Sequence, residues 1–273
     1  MAVGDGTPSE HRSSARREAL PHSLWSVEAA DSGWTVVARN LPEHARNPIH
    51  TDAGARAAGF ERALVAGVTS YAYCCHVLID RFGLEWVASG EAEVRFKSPV
   101  LAGDRLRFLV SEPLEGLELN ATTARVDRPL VTVSARCRHR DDGAERPGER
   151  LRDLIVQLGG DYGPDYALRA GDDQRTCVDA GVVHPAVWPA LANSVFHNQL
   201  ALGPWVHTRS HVRHHALVPA GVEADVAAVV VRRYPSSSGV RAIADVTVLV
   251  EGNVVATVEH EAIIELPGRP ADS

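Results

Sequence analysis

The feature that most restricts how this chain can fold is that it says one thing twice. Glu93 to Val110 reads EVRFKSPVLAGDRLRFLV, and His211 to Val230 reads HVRHHALVPAGVEADVAAVV. With Val94 placed over Val212, Arg95 pairs with Arg213, Val100 with Val218, Ala102 with Ala220 and Gly103 with Gly221, without a gap. Just upstream, GLEWV (Gly83 to Val87) answers GPWV (Gly203 to Val206), one residue shorter. A repeat spanning roughly half a chain implies two copies of one structural unit.

In the first unit, WTVVARNL (Trp34 to Leu41) is a β-branched, strand-like run. TDAGARAAGF predicts a short helix with Thr51 or Asp52 as its N-cap. Val68 to Phe82, entered at Gly67 and stopped at Gly83, is apolar at Val68, Tyr71, Cys75, Leu78 and Phe82 and nearly so elsewhere. That pattern predicts a helix buried on most sides. Three strand-like runs follow: SGEAEVRFKSPV, DRLRFLVSEPLEG and RPLVTVSARCRH. The second unit repeats the order, with a helix at Val187 to Leu202 and then four strand-like runs. Between the units, the excess of Gly, Pro and charge marks a linker, with one short helix expected around Leu151 to Leu158.

A long buried helix followed by an antiparallel sheet, twice over, is an α+β arrangement in which each sheet wraps a helix. One unit alone would leave a sheet edge open, and a tandem pair closes it. The expected division is a disordered tail at 1–23, a unit at 24–138, a linker at 139–180, a second unit at 181–267 and a tail at 268–273.

The formal charge of −7 argues against nucleic acid as the partner, since phosphate backbones are held by clustered Lys and Arg. No apolar run is long enough to cross a bilayer, and the N-terminal stretch has no apolar core of a secretory signal. Four cysteines, with Cys74 and Cys75 adjacent, make neither a CxxC pair nor a disulfide framework. They read as reduced packing residues in a cytoplasmic protein.

The stretch NPIHTDAGARAAGF, followed by LVAGVTSYAY, resembles the MaoC-like, type-2 enoyl-thioester hydratase family, and the tandem repeat resembles its double-hotdog branch. The resemblance covers most of 24–138, and the second unit only in outline. It implies a hotdog fold in which an Asp five residues before a His helps it activate water for addition to an α,β-unsaturated thioester. It further implies that NH groups at the start of the buried helix hold the thioester carbonyl. Carried over, the His is His50, the Asn is Asn47 and the helix-start residues are Gly67 and Val68; the Asp position is Ala45, which carries no proton. The physical chemistry of these roles is general. Neutral imidazole accepts a proton near neutral pH, and free NH groups at a helix N-terminus stabilise a forming enolate oxygen.

Other residues invite functional and structural readings side by side. In WVHTRSHVRHH, strand alternation predicts that His207, Arg209, His211, Arg213 and His215 share one face. That face is a contact for phosphate or carboxylate, with His211 and His215 as its imidazoles, or else a solvated face or an ion-pair seam between the units. Asn193 and His197 share one face of the second helix and form either a second site or a core polar pair. Tyr71 lines an acyl pocket or simply fills the core. No cofactor and no metal site is expected.

Two classes of function follow. One is a lyase of the hydratase or dehydratase type, or a relative diverged to isomerisation, cyclisation or elimination. It would act on a small-molecule, CoA-bound or carrier-protein-bound acyl substrate. The other is a non-catalytic hotdog binding or partner subunit, and a hotdog thioesterase is a third reading. The active species is expected to be a monomer of two hotdog units or a homodimer of these.

Overall fold

The computed structural model describes residues 1, 29–113, 116–140 and 146–267. The tails expected at 1–23 and 268–273 lie outside them, Met1 apart. The first half runs β1 (Ala30–Val37), two 3-10 turns (Pro42–Arg46 and Pro48–His50), α1 (Asp52–Ala57), α2 (Gly67–Ser89), β2 (Glu91–Phe96), β3 (Arg105–Ser111), β4 (Leu117–Thr123) and β5 (Val126–Arg136). There follow β6 (Glu149–Arg150), β7 (Leu154–Gln157), α3 (Tyr166–Arg169) and α4 (Thr176–Ala180). The second half is α5 (Val187–Gln199), β8 (Val206–His214), β9 (Glu223–Ser236), β10 (Gly239–Val250) and β11 (Asn253–Glu265).

The strands form one continuous sheet in the order β1-β3-β4-β5-β2-β8-β11-β10-β9-β6, with β7 also on β9. The antiparallel β2–β8 pair joins the halves, with Ala92 opposite Val212 and Glu93 opposite His211. Each half would otherwise present β2 or β8 as a bare edge, and pairing them removes both. Inside the sheet, α2 is buried from Val68 through Ile79. Its helical geometry breaks at Gly83 (φ 66°, ψ −161°), and a second helical stretch continues to Ser89.

The repeat in the sequence is a repeat in the backbone. The Val65 NH donates to the Val100 carbonyl and the Val183 NH to the Val218 carbonyl, both at 2.8 Å. Gly103 and Gly221 close the matching turns at φ +88° and +90°, where a side chain would be strained. Both contacts place residue n of the first half over n + 118 of the second.

Two sequence expectations need correction. The helix expected at Leu151 to Leu158 is absent: Leu154–Gln157 is a strand, antiparallel to β9. β9 is a long strand whose outer edge would be bare, and the linker covers it. The run LELNATT, unread as a strand, is β4, with Leu117, Leu119 and Ala121 alternating inward. Among the described residues, no helix is long and apolar enough to cross a membrane.

Candidate functional site

The loop between β1 and α1 is built to present His50. Thr51 caps α1 by accepting from the Gly54 NH, and Asn40 donates to the carbonyls of His50 and Leu64 while accepting from the Ala66 NH. One side chain thus ties the histidine's backbone to the entry of α2. His50 Nδ1 lies 2.8 Å from the Leu64 carbonyl. A carbonyl only accepts, so Nδ1 carries the proton and Nε2 is left with its lone pair. Burial holds the imidazole neutral, down to about 4, against an upward pull from the Leu64 bond.

His50 sits where two cavities meet. A cavity of about 220 Å³ is lined by Asn47, His50, Gly67, Ser70, Phe96, Asn193, Trp205 and His207 among others. A smaller one of about 70 Å³ is lined by His44, Asn47, His50, Val68, Tyr162, Tyr166, Asn193 and His197 among others. The head of α2 stands between them. The first NH groups of a helix have no acceptor within it, which leaves those of Gly67 and Val68 for a ligand oxygen at the positive end of the helix. Gly67 is required there by close approach: a Cβ on it would lie 2.9 Å from His207 Nδ1 and 3.2 Å from Phe96.

The second half also lines these cavities. Asn47 donates to the Trp205 carbonyl at 2.8 Å, and its buried Oδ1 has no partner among the described residues. Asn193 and His197 both face the first-half cavity. At the position equivalent to Gly67 stands Pro185, which has no NH, and the next NH, of Ala186, donates to His184 Nδ1. The position equivalent to His50 is Leu168.

The sequence-predicted residues thus divide. His50, Asn47, Gly67, Val68, Asn193 and His197 come together around the two cavities. Tyr71 does not: it is fully buried in the core and lines neither. His211 and His215 are also elsewhere. His211 contacts buried Glu91, which pairs with Arg136 and Arg213, so this part of the strand is an ion-pair seam between the halves. His215 meets Thr257. His207 leaves the common face expected for it. The β8–β11 register shifts between Arg209 and His207, and this bulge turns His207 inward with Ser210, Val212 and His214.

Three site residues escaped the sequence reading. His44, Tyr162 and Tyr166 line the smaller cavity, the two tyrosines coming from the linker. The Leu41 NH donates to His44 Nδ1 at 3.2 Å, so its Nε2–H donates to the Tyr166 hydroxyl at 3.1 Å. Burial pushes His44 down to about 3 and Tyr166 above the ordinary phenol range. Both are neutral proton carriers beside His50. Ala45, by contrast, is exposed and lines neither cavity.

Residues 43–115 match the family model of the MaoC like domain. That match lies within the first half of the chain and does not extend over the second. A MaoC-like dehydratase is 15% identical, with 87% of this chain and 97% of that one covered and a TM-score of 0.62. A conserved hypothetical protein of Mycobacterium tuberculosis with a double hotdog fold is 13% identical, with 88% and 96% covered and a TM-score of 0.60. A tesB protein of Mycobacterium avium subs paratuberculosis is 16% identical, with 89% and 97% covered and a TM-score of 0.51. The likeness is one of fold, and the fold is the double hotdog. No curated protein sequence matches the chain.

One further polar cluster lies apart from the candidate site. His76 Nδ1 meets Asp172 Oδ1 at 2.6 Å, with Asp173 and Asp80 nearby. Asp172 Oδ1 also accepts from the NH groups of Asp173 and Gln174. The buried Oδ2 of Asp172 has no hydrogen-bond partner among the described residues.

Proposed function

We propose that this protein is an enzyme of the hydratase or dehydratase type acting on an acyl thioester or a related α,β-unsaturated carbonyl, with His50 as its acid–base group. The observation that carries this reading is the fixed tautomer of His50. Its Nδ1–H is committed to Leu64, so a neutral Nε2 is free at the junction of two cavities beside the head of α2. The carbonyl oxygen of the substrate accepts from the Gly67 and Val68 NH groups, which stabilise the enolate as it forms. His50 Nε2 takes a proton from carbon or from water and returns it. Asn47 orients the polar end of the substrate through its free Oδ1.

The proton-bearing partner that a dehydratase needs is supplied by Tyr166 with His44 rather than by a carboxylate. A neutral phenol suits general acid work at a leaving hydroxyl, and the same pair serves an isomerisation that moves one proton. The CoA-bound or carrier-bound form of the substrate stands on the fold's likeness to acyl-thioester enzymes. One site per chain is expected, because Pro185 and Ala186, the positions equivalent to Gly67 and Val68, offer no free NH pair. The test is disappearance of the enoyl-thioester ultraviolet absorbance over a panel of enoyl-CoA substrates, with native protein and His50→Ala side by side. Native turnover that is lost in His50→Ala supports the reading, and full activity in His50→Ala ends it. A binding subunit without chemistry would hold such ligands and release them unchanged.

A further inference from the structure

The core behind the larger cavity holds a polar chain that the mechanism above does not use. His207 Nε2 lies 2.8 Å from Ser210 Oγ, and Ser210 Oγ lies 2.9 Å from His260 Nδ1. Ser210 and His260 are wholly buried and His207 is only 6% exposed. The two rings lie 4.1 Å apart, enclosed by Phe96 and Phe196. Both ends of the chain, His207 Nδ1 and His260 Nε2, have no hydrogen-bond partner among the described residues. A buried polar atom left unpaired is destabilising, so an interior with two of them in one hydrogen-bonded chain calls for an explanation.

The chain has two states of equal charge. Ser210 has one proton and gives it to one imidazole while accepting from the other. If it donates to His260, His207 Nδ1 is a bare lone pair. If it donates to His207, then Nδ1 carries a proton and the orphan end of His260 is the acceptor. Either way His207 presents a single unsatisfied atom, and that atom abuts Gly67: a Cβ there would lie 2.9 Å from it. Both residues line the 220 Å³ cavity. The bulge at Thr208 is what aims it. Without that extra residue His207 would share the outer face with Arg209 and His211.

We propose that His207 donates a hydrogen bond from Nδ1 to the carbonyl oxygen of the bound acyl substrate, as a third donor beside the Gly67 and Val68 NH groups. Ser210 and His260 are positioning residues that hold His207 in the donor tautomer. This rests on the reading that the carbonyl sits at the head of α2. An accepting oxygen selects the state with the proton on Nδ1, since a ligand shifts a population by binding its states unequally. A donor aimed at developing charge in a water-poor site is worth far more than in water. Burial keeps both imidazoles neutral, so the chain donates without bringing a net charge into the core.

The test uses binding rather than turnover. An aryl-acryloyl-CoA, whose conjugated carbonyl absorbs at longer wavelength when hydrogen bonds polarise it, is titrated into His50→Ala. The same is done with His207→Leu, His207→Gln and Ser210→Ala added singly, each checked for its fold by circular dichroism. The expected result is a red shift in His50→Ala that shrinks by about half with His207→Leu. His207→Gln keeps an NH donor and recovers most of it, and Ser210→Ala gives a smaller loss in the same direction. Ser210→Ala also decides the matter if His207→Leu does not fold. An unchanged red shift in both His207→Leu and Ser210→Ala overturns the role of His207 and leaves the helix-head reading standing. Binding without any red shift in His50→Ala overturns both.

Discussion

At the scale of single residues, a neutral His50 with its base nitrogen open makes a definite statement about pH. An exposed histidine base loses half its activity near 6.5, whereas His50 protonates at about 4. The kcat/KM of the native protein should therefore stay level from pH 8 down to about 5.5 when measured by initial rates. A half-loss near 6.5 would mean that another group does the work. Ala45 gives a second prediction. Because it is exposed and lines neither cavity, Ala45→Asp should leave turnover within about twofold of native. A gain of 100-fold, the order a general acid contributes, would show that a carboxylate there reaches the substrate. Tyr166→Phe, which removes the proton proposed to replace it, should cost about 10²-fold in kcat.

At the scale of elements, buried contacts hold the linker to the central helix, among them the Tyr73 hydroxyl donating to the Ala170 carbonyl at 2.8 Å and Asp172 against His76. Asp172 is buried against His76, which also stacks on Trp34 at 3.7 Å between ring centres. Burial alone would lower the His76 pKa, but the Asp172 hydrogen bond and the charges of Asp172, Asp80 and Asp173 raise it overall. Removing one partner of such a pair leaves an uncompensated buried charge, at a cost of about 3–5 kcal/mol. Asp172→Asn should lower stability by about 3 kcal/mol in urea unfolding, and a change under 1 kcal/mol would show that the contact is incidental. Elements also show what a sequence can disclose. The repeat, the buried helix and Thr51 as the cap of α1 were legible because each is a local pattern of apolar spacing or capping chemistry. The Leu154–Gln157 strand was not, since its conformation is imposed by the β9 edge it covers. His207 was misplaced because a bulge is one residue of slippage between two distant strands. Tyr162 and Tyr166 were missed because the linker reaches the site only through the tertiary fold.

At the scale of the whole molecule, the interior is loaded with neutral imidazoles. Burial lowers His44, His207 and His214 to about 3 and His50 and His184 to about 4, and it holds His260 well below its ordinary value. Each is near 6.5 when unfolded, so between those values the unfolded chain binds more protons than the folded one. Stability is then full above about 6.5 and falls as the pH drops toward about 4, by up to about 1.4 kcal/mol per pH unit for each group. His76 works in the opposite sense: its raised pKa adds stability below the unfolded value that is lost as pH rises. The depressed groups outnumber it, so the net expectation is a urea midpoint that declines steeply from pH 6.5 to 5. A midpoint that stays flat over that range would contradict the burial of these rings. The same continuous sheet that buries them joins two copies of one unit, and both line the two cavities at His50. One half supplies the helix head and His50, and the other supplies Asn193, His197 and His207.

The role proposed for His50 is acid–base chemistry on a thioester whose carbonyl rests at the head of α2. Its most direct measurement is the loss of ultraviolet absorbance of short, medium and long enoyl-CoA substrates with native protein and with His50→Ala. That role requires multiple turnovers by native protein on at least one chain length and a loss of at least about 10²-fold in His50→Ala. Equal rates in the two proteins, or stoichiometric binding with every substrate recovered unchanged, would contradict it.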